Sequence, residues 1–133
     1  MTNVRSILVV DDEPSIGKAL TLGLSSKELD VDVAENGRIG VRLGSRKQYD
    51  ILIADLCLPD IDGLEVIRRI KSHSPQIVSI IITGNPSRAT SMEATSQGVG
   101  GYLEKPLDMK SIKNAIEFGL ERRKQRQEEL VEE

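Results

Sequence analysis

Short stretches rich in Val, Ile and Leu alternate along the chain with longer stretches in which apolar residues recur every three or four positions. The first pattern is typical of strands in a buried sheet and predicts strands over residues 4–10, 30–34, 51–54, 76–82 and 98–104. The second predicts amphipathic helices over residues 14–26, 37–47, 64–73, 87–97 and from 108 to near the end. Five strands, each followed by a helix, predict an α/β protein whose open parallel sheet is covered by helices on both faces.

Two of the predicted helices have weak apolar faces. The second contains Gly37, Gly40 and Gly44, which lower helix propensity, although small residues at 40 and 44 would let the helix lie close to the sheet. In the polar fourth helix, only Ala89, Met92 and Ala94 could face a core. We therefore expect the fourth helix to be the least firmly packed of the five.

The last helix changes character along its length. Ile112, Ile116 and Leu120 predict one apolar face, whereas residues 121–129 contain no apolar residue. We expect one domain over residues 1–120, followed by an extension of the last helix over 121–133 that is a linker or the start of a coiled coil. The turns beyond Leu120 are expected to bury nothing within the domain, which favours a fragment of a longer protein.

Polar residues suited to phosphate chemistry follow four of the predicted strands. Asp11 and Asp12 follow the first strand, Asp55 the third, Thr83 the fourth and Lys105 the fifth. In open parallel sheets, ligands bind at the carboxyl ends of the strands. Each acid could simply cap the turn or helix that follows it, but their combination predicts a reactive site at this edge.

Three carboxylates at one edge require a positive charge, since two charges about 4 Å apart repel by about 4 kcal/mol at an effective dielectric constant near 20. Oxygen ligands favour Mg²⁺, with Mn²⁺ as the alternative. Asp11 and Asp12 would hold the ion and Asp55 would share it. A carboxylate beside such an ion can attack phosphorus, while Lys105 and Thr83 contact the phosphoryl oxygens.

Composition narrows the classes of function. The chain has 133 residues, a formal net charge of -3 and only 2% aromatic residues, which argues against a nucleic-acid surface or an aromatic ligand cage. The single cysteine, Cys57, excludes an internal disulfide and favours a reducing compartment. No apolar run approaches the roughly 18 residues of a membrane span, so we expect a cytoplasmic protein.

The motifs at the strand ends resemble those of the receiver domains of bacterial response regulators. They are residues 9–13 (VVDDE), 55–59 (DLCLP), 62–63 (DG), 83–84 (TG) and 102–106 (YLEKP). The resemblance runs from about residue 6 to residue 120. It implies a flavodoxin-like (βα)5 three-layer sandwich with strand order 2-1-3-4-5.

The resemblance also implies roles for the acids. Asp55 corresponds to the phosphoacceptor, which takes a phosphoryl group from a histidine kinase or a phosphotransfer protein. Asp11 and Asp12, with Asp55 and the backbone carbonyl of Cys57, correspond to the Mg²⁺ ligands. Cys57 and Asn85 occupy positions that tune the lifetime of the phosphoryl group. Neither side chain is a general base at neutral pH, so we expect unremarkable to slow self-dephosphorylation.

Four further residues complete the implied site. Thr83, Gly84 and Lys105 correspond to phosphoryl contacts, and Gly84 stands where many family members have alanine. Thr83 and Tyr102 correspond to a switch pair in which the hydroxyl moves toward the phosphoryl group and the ring turns inward. The peptide bond between Lys105 and Pro106 is expected to be cis.

The output face of the family comprises the fourth helix, the last strand and the fifth helix, here about residues 87–97, 101–104 and 111–120. We expect phosphorylation to alter homodimerisation, or binding of an effector domain or partner protein, through this face. Direct binding of nucleic acid or membrane is not expected. The chain would then be a switch that assists only its own phosphorylation and dephosphorylation, without turnover of a separate substrate.

Three other functions compete with this interpretation. An aspartate-based phosphatase or dehalogenase usually needs a second acid two residues after the nucleophile, where this chain has Cys57. A phosphate-independent dimerisation module would not require Asp55, Thr83 and Lys105. A mononucleotide-binding protein would need a glycine-rich loop after the first strand, where this chain has acids. The only histidine, His73, lies at the end of the third helix, where a cation is favourable.

Overall fold

The computed structural model describes residues 4–132, with side chains through residue 130. Residues 1–3 and 133 of the predicted ranges lie outside the described part of the chain. Within it, strands and helices alternate: β1 (Arg5–Val10), α1 (Pro14–Leu24), β2 (Leu29–Ala34), α2 (Gly37–Arg46), β3 (Ile51–Asp55), α3 (Gly63–His73), β4 (Val78–Thr83), α4 (Arg88–Ser96), β5 (Gly101–Glu104) and α5 (Met109–Glu132).

All ten predicted elements are present, and their ends differ from the predicted ends by a few residues. The largest difference is at β5, which begins at Gly101 and not at Gly98. Gly98 has a φ angle of 77° and its N–H donates to the carbonyl of Thr95, so it belongs to the turn that leaves α4.

The strands form one parallel sheet in the order β2-β1-β3-β4-β5, which confirms the predicted topology. Successive residues of β3 point to opposite faces. Leu52 and Ala54 join the cluster that packs under α2, α3 and α4, while Ile51 and Ile53 join the cluster under α1 and α5. Three layers result. Each fully buried Ile or Leu contributes on the order of 2 kcal/mol to folding.

Pro14 begins α1, where its missing N–H costs nothing, and Leu20 and Leu24 are buried against the sheet. In α5, Ile112 and Ile116 are buried in the same cluster and Leu120 is partly buried against it, as the periodicity predicts. The helices α1 and α5 therefore cover the same face of the sheet.

The prediction for α4 is confirmed in part. Ala94 is its one fully buried residue, whereas Ala89 is exposed and Met92 is 61% exposed, so the expectation that these two could face a core is wrong. Polar contacts hold the start of the helix instead. Ser87 caps it by accepting a hydrogen bond from the N–H of Thr90 at 3.1 Å.

Two of the three glycines of α2, Gly40 and Gly44, lie against different neighbours. A Cβ at Gly40 would lie 2.7 Å from a methyl group of Val10, so this glycine lets α2 approach the sheet as predicted. A Cβ at Gly44 would lie 2.7 Å from the side chain of Ile70 in α3. Gly44 therefore allows close contact between two helices, and not between a helix and the sheet.

The expectation that the turns beyond Leu120 bury nothing is wrong. Arg123 has a side chain that is only 20% exposed and lies 3.3 Å from Asp50, which immediately precedes β3. One turn later, the amide of Gln127 donates to the side chain of Gln76 at 2.8 Å. The first turns of the extension are thus attached to the amino end of the sheet.

No helix of residues 4–132 is both long and apolar enough to cross a bilayer.

Candidate functional site

The parallel sheet brings the ends of β1, β3, β4 and β5 to one edge, where the residues predicted from the strand ends meet. Asp11 directly follows β1 and Asp55 ends β3. One oxygen from each of Asp11, Asp12 and Asp55 lies within 4.8 Å of the others. The three acids form an acidic cluster at the carboxyl edge of the sheet.

The two inner acids of this cluster are almost completely buried. Asp11 is 2% exposed and Asp55 is 5% exposed, whereas Asp12 faces solvent. The Oδ1 of Asp11 accepts a hydrogen bond from the N–H of Glu13 at 2.8 Å. The Oδ2 of Asp11 is buried and makes no well-aligned hydrogen bond within the described residues, although the Lys105 ammonium lies 3.1 Å from it. Burial raises the pKa of Asp11, although the Glu13 N–H and Lys105 oppose that shift.

Lys105 supplies the positive charge nearest to the cluster. Its Nζ lies 2.7 Å from Oε1 of Glu13, 3.1 Å from Oδ2 of Asp11 and 3.2 Å from Oδ2 of Asp55. Burial disfavours the ammonium ion, but the close carboxylates of Glu13, Asp11 and Asp55 raise the pKa of Lys105. Lys105 therefore remains charged at neutral pH.

The backbone on both sides of Lys105 directs its side chain. The N–H of Lys105 donates to the carbonyl of Thr83 at 2.8 Å, and the bond from Lys105 to Pro106 is cis, as the resemblance implies. The sequence interpretation missed Glu13 as the partner closest to Lys105. Glu13 lies within the VVDDE motif, but nothing in the sequence indicates which residue it contacts.

The loop from β3 to α3 lies against Asp55. The N–H of Cys57 donates to Oδ1 of Asp55 at 3.2 Å, and the N–H of Gly63 donates to the carbonyl of Leu56 at 2.9 Å. A Cβ on Gly63 would come within 2.9 Å of the carbonyl carbon of Asp55 and of the Cα of Leu56. Only glycine at position 63 leaves room for α3 to begin this close to Asp55.

Asp60 anchors the same loop to a second helix. Its two carboxylate oxygens accept hydrogen bonds from the N–H groups of Gly37 and Arg38, each at 2.8 Å, at the start of α2. Despite some desolvation, these backbone donors lower the pKa of Asp60. A carboxylate at a helix N-terminus is favourable, so the loop that carries Cys57 is held on both sides.

The two predicted switch residues, Thr83 and Tyr102, form hydrogen bonds with different partners. Thr83 is fully buried, and its Oγ1 accepts a hydrogen bond from the N–H of Asn85 at 3.0 Å. The hydroxyl of Tyr102 lies 2.6 Å from Oγ1 of Thr90 and accepts from the N–H of Ser87 at 3.2 Å. Within the described residues Thr83 and Tyr102 share no hydrogen bond. Tyr102 thus joins β5 to the first turn of α4.

The remaining predicted residues border the acidic cluster. Cys57, Gly84 and Asn85 are exposed around it. A Cβ at Gly84 would have Lys105 Cδ as its nearest neighbour, at 3.9 Å, so this position is open. The floor of the site is therefore charged and mostly buried, and its opening is accessible to solvent.

The residues present fit a divalent cation. Three carboxylates outnumber Lys105, the one lysine that pairs with them in the described part of the chain, and the buried Oδ2 of Asp11 makes no well-aligned hydrogen bond there. An all-oxygen donor set suits Mg²⁺ or Mn²⁺ and not softer metals. The arrangement can hold such an ion beside Asp55 and can present Lys105 to an anion bound there.

Comparison with known proteins adds an independent line of observation. The family model described as the response regulator receiver domain matches residues 7–117. The transcriptional regulatory protein GlrR of Escherichia coli is 36% identical over 115 residues, which are 86% of this chain and 26% of that protein. The response regulator ArlR of Staphylococcus epidermidis is 33% identical over 122 residues, which are 92% of this chain and 54% of that protein. The chain therefore spans only part of the length of these relatives.

Solved structures agree with the fold. A CheY-like receiver domain protein from Methanospirillum hungatei matches with a TM-score of 0.87 at 22% identity, over 93% of this chain and 99% of that chain. A Burkholderia pseudomallei response regulator with a phosphorylated aspartic acid and a calcium ion matches at 0.78 and 28%, over 84% and 66%. The beryllofluoride-activated NtrC4 receiver domain dimer matches at 0.82 and 32%, over 89% and 98%.

Proposed function

The chain belongs to the response regulator receiver domain family of two-component systems, and on this premise we propose that Asp55 is its phosphoacceptor. The donor would be the phosphohistidine of a histidine kinase or of a phosphotransfer protein. The observation that carries the proposal is the position of Lys105, whose Nζ lies 3.2 Å from Asp55 and 3.1 Å from Asp11. A lysine that pairs with these carboxylates can pair with a phosphoryl oxygen once a phosphoryl group is present at the site.

In the proposed transfer, one oxygen of the Asp55 carboxylate forms a bond to phosphorus as the bond from phosphorus to the donor's histidine nitrogen breaks. The electron pair of the broken bond stays on the imidazole, which leaves as neutral histidine after taking up one proton. The product on this chain is an acyl phosphate. Lys105 would then pair with one phosphoryl oxygen, and the Thr83 hydroxyl, whose proton is not engaged by Asn85, would donate to another.

Asp11, Asp12 and Asp55 would hold Mg²⁺, together with the backbone carbonyl of Cys57. When bound, the ion offsets the repulsion between the carboxylates and the incoming phosphoryl group. The relative from Burkholderia pseudomallei has a calcium ion and a phosphorylated aspartic acid in one structure, which supports a cation site next to the acceptor. Mn²⁺ would satisfy the same oxygen ligands.

The switch would act through Thr83 and Tyr102. Movement of the Thr83 hydroxyl toward the phosphoryl group opens space beside Gly84, and the ring of Tyr102 turns inward to fill it. That movement breaks two hydrogen bonds of the Tyr102 hydroxyl, one accepted from the N–H of Ser87 and one shared with the Thr90 hydroxyl, which hold the first turn of α4. Because α4 buries only Ala94, loss of these polar contacts would shift the helix at small cost.

The surface formed by α4, β5 and α5 would then bind an effector domain, a partner protein or a second copy of this chain. The relatives are longer regulators, and the NtrC4 receiver domain is a dimer when activated by beryllofluoride, which support this assignment. We assign residues 1–120 to the receiver domain and 121–133 to a linker or the start of a coiled coil. We assign the switch to the cytoplasm, where Cys57 stays reduced, and assign it no substrate beyond its own phosphoryl group.

Intact mass after incubation with acetyl phosphate tests the chemistry. We expect one phosphoryl adduct that requires both Mg²⁺ and Asp55, so that Asp55→Ala and chelation of the metal each abolish it. Asp50→Ala is the matched control, because this carboxylate lies at the opposite end of β3. Beryllofluoride should bind under the same conditions and change the hydrogen-exchange protection of α4.

Absence of the adduct in the parent chain, together with absence of Mg²⁺ binding, would contradict the proposal. An adduct that persists in Asp55→Ala would move the acceptor to another residue. An adduct with no change at α4 would retain the phosphoacceptor and reject the switch described for Tyr102.

A further inference from the structure

A cleft of about 250 Å³ lies at the edge of the sheet opposite the acidic cluster. It is formed by the start of β4, the turn from α4 to β5 and one face of α5, around Ser79, Gly100 and Phe118. Because β4 runs from this edge to Thr83, the cleft and Asp55 are separated by the length of the strand. The proposed phosphoryl chemistry does not use any residue of the cleft.

The charge of the cleft is of one sign. Arg122, Arg123 and Arg126 line it, and no Asp or Glu is among the described residues that do so. Arg123 is paired with Asp50, but Arg122 and Arg126 are exposed and form no ion pair within the described part of the chain. Two cationic side chains are thus available to an anionic group in the cleft.

The cleft also has an apolar side. Phe118 is 58% exposed, and the guanidinium of Arg122 lies 5.7 Å from the centre of its ring. An exposed aromatic ring beside an unpaired cation is typical of a surface that a partner covers.

We propose that this cleft, lined by Ser79, Phe118, Arg122 and Arg126, binds an acidic segment of a protein partner. The carboxylates of the segment pair with the two arginines, and a neighbouring aliphatic side chain covers Phe118. Aromatic and Arg side chains dominate the energetic centres of protein interfaces, and here the two kinds lie side by side. Charge complementarity requires the acidic composition of the partner.

Two other ligand classes fit the cleft less well. A small-molecule site would bury most of the ligand, whereas Phe118 and both free arginines are open to solvent. Nucleic acid would meet Glu121, Glu128 and Glu129 on the same helix, and the chain carries a net charge of -3. The acids flank the arginines along α5 and restrict the attractive region to the cleft.

The test is a fluorescence anisotropy titration of the full chain with a labelled short peptide of repeating Glu-Glu-Leu. The matched peptide of repeating Gln-Gln-Leu keeps the apolar residue and removes the charge. We expect the double variant Arg122→Gln/Arg126→Gln to bind the acidic peptide about tenfold more weakly than the parent. The control Lys110→Gln/Lys113→Gln has the same charge change at exposed positions of α5 outside the cleft and should change affinity by less than about twofold.

Binding in Asp55→Ala should equal binding in the parent, so failure of the phosphoacceptor proposal would leave this test intact. Equal losses in the two double variants would overturn the proposal, because the attraction would then be general to α5. Equal affinity for the two peptides would also overturn it. Binding of a short DNA duplex that exceeds binding of the acidic peptide and depends on Arg122 and Arg126 would replace the protein partner with nucleic acid.

Discussion

Two aspartates at opposite ends of β3 have contrasting surroundings. Asp50 precedes the strand, and its oxygens accept from the N–H of Ser6 at 2.9 Å and from Arg123 at 3.3 Å. Asp55 ends the strand, and its oxygens have the N–H of Cys57 and the amine of Lys105, each at 3.2 Å. Asp50 joins separate elements of the fold, whereas Asp55 lies in a cluster of like charges.

The difference teaches how one strand can serve stability and chemistry at once. At the amino end, the Asp50 carboxylate has partners in two other elements. At the carboxyl end, one ammonium, that of Lys105, is shared among three carboxylates. Like charges that the rest of the fold holds together are typical of functional sites.

The carboxyl edge also contains one rigid point, and this gives the largest expected effect. Gly63→Ala should lower the free energy of unfolding by about 3 kcal/mol or more, because its Cβ would collide with the backbone of Asp55 and Leu56. Urea unfolding followed by circular dichroism measures the change. The matched variant Gly84→Ala, at an open position of the same edge, should stay within about 0.5 kcal/mol of the parent. Similar costs for the two variants would show that the collision is relieved.

The second prediction compares the two aspartates directly. Asp50→Ala should cost about 2 kcal/mol, because it leaves the N–H of Ser6 and the half-buried Arg123 without their partner. Asp55→Ala should change stability by less than about 1 kcal/mol, because Lys105 keeps Asp11 and Glu13 while repulsion within the acidic cluster falls. Chemical denaturation without metal is the measurement. A larger loss for Asp55→Ala would reverse the comparison.

Of the two ends of β3, only the surroundings of the carboxyl end could be predicted from the sequence. Strands buried on both faces form continuous apolar runs, so their ends, and with them Asp11, Asp55, Thr83 and Lys105, could be located. The motifs added the strand order through their resemblance to a family. The carboxylate of Asp50 gave no such signal, because its contacts with Ser6 and Arg123 depend on how distant elements pack.

Other parts of the fold failed to follow from local pattern for physical reasons. Ala89, Met92 and Ala94 are too few and too weakly apolar to fix the rotation of α4, and only Ala94 is buried. The contact of Glu13 with Lys105 joins residues 92 positions apart, and Asp60 reaches the start of α2 across 23 positions. Such pairs depend on loop geometry that periodicity does not encode.

The third prediction compares how the two aspartates contribute to stabilisation by Mg²⁺. At a Mg²⁺ concentration about ten times the dissociation constant, binding should raise the free energy of unfolding by about 1.4 kcal/mol. Asp50→Ala should retain this increment, and Asp55→Ala should lose most of it, because Asp55, unlike Asp50, contributes an oxygen to the acidic cluster. Unfolding curves with and without the ion measure it. An equal increment in both variants would locate the cation elsewhere.

The smallest effect concerns a tyrosine at the amino end. Burial, followed by the 2.7 Å hydrogen bond to Asp32, raises the pKa of Tyr49 above its usual value. The folded state therefore binds more protons than the unfolded chain above about pH 10, so stability is full below that pH and falls as the pH rises through it. Tyr49→Phe should cost about 1 kcal/mol at pH 7 and should flatten this alkaline decline.

Unfolding at a series of pH values checks the prediction for Tyr49. Tyr102→Phe is the control, since it removes the other tyrosine from the opposite edge of the sheet. An alkaline decline that is as steep in Tyr49→Phe as in the parent would assign it to the lysines. Lys47 and Lys105 are the candidates, because their pKa values are also raised.

The attachment of α5 to the amino end of the sheet has a mechanical consequence. Arg123 and Gln127 hold the helix at two points one turn apart, so its azimuth about its own axis is fixed relative to the sheet. The rotation of this 24-residue helix, which is about 36 Å long, is therefore fixed relative to the sheet along its length. One residue inserted just after Gln127 would turn everything beyond it by about 100°, whereas four would restore the phase to within about 40°.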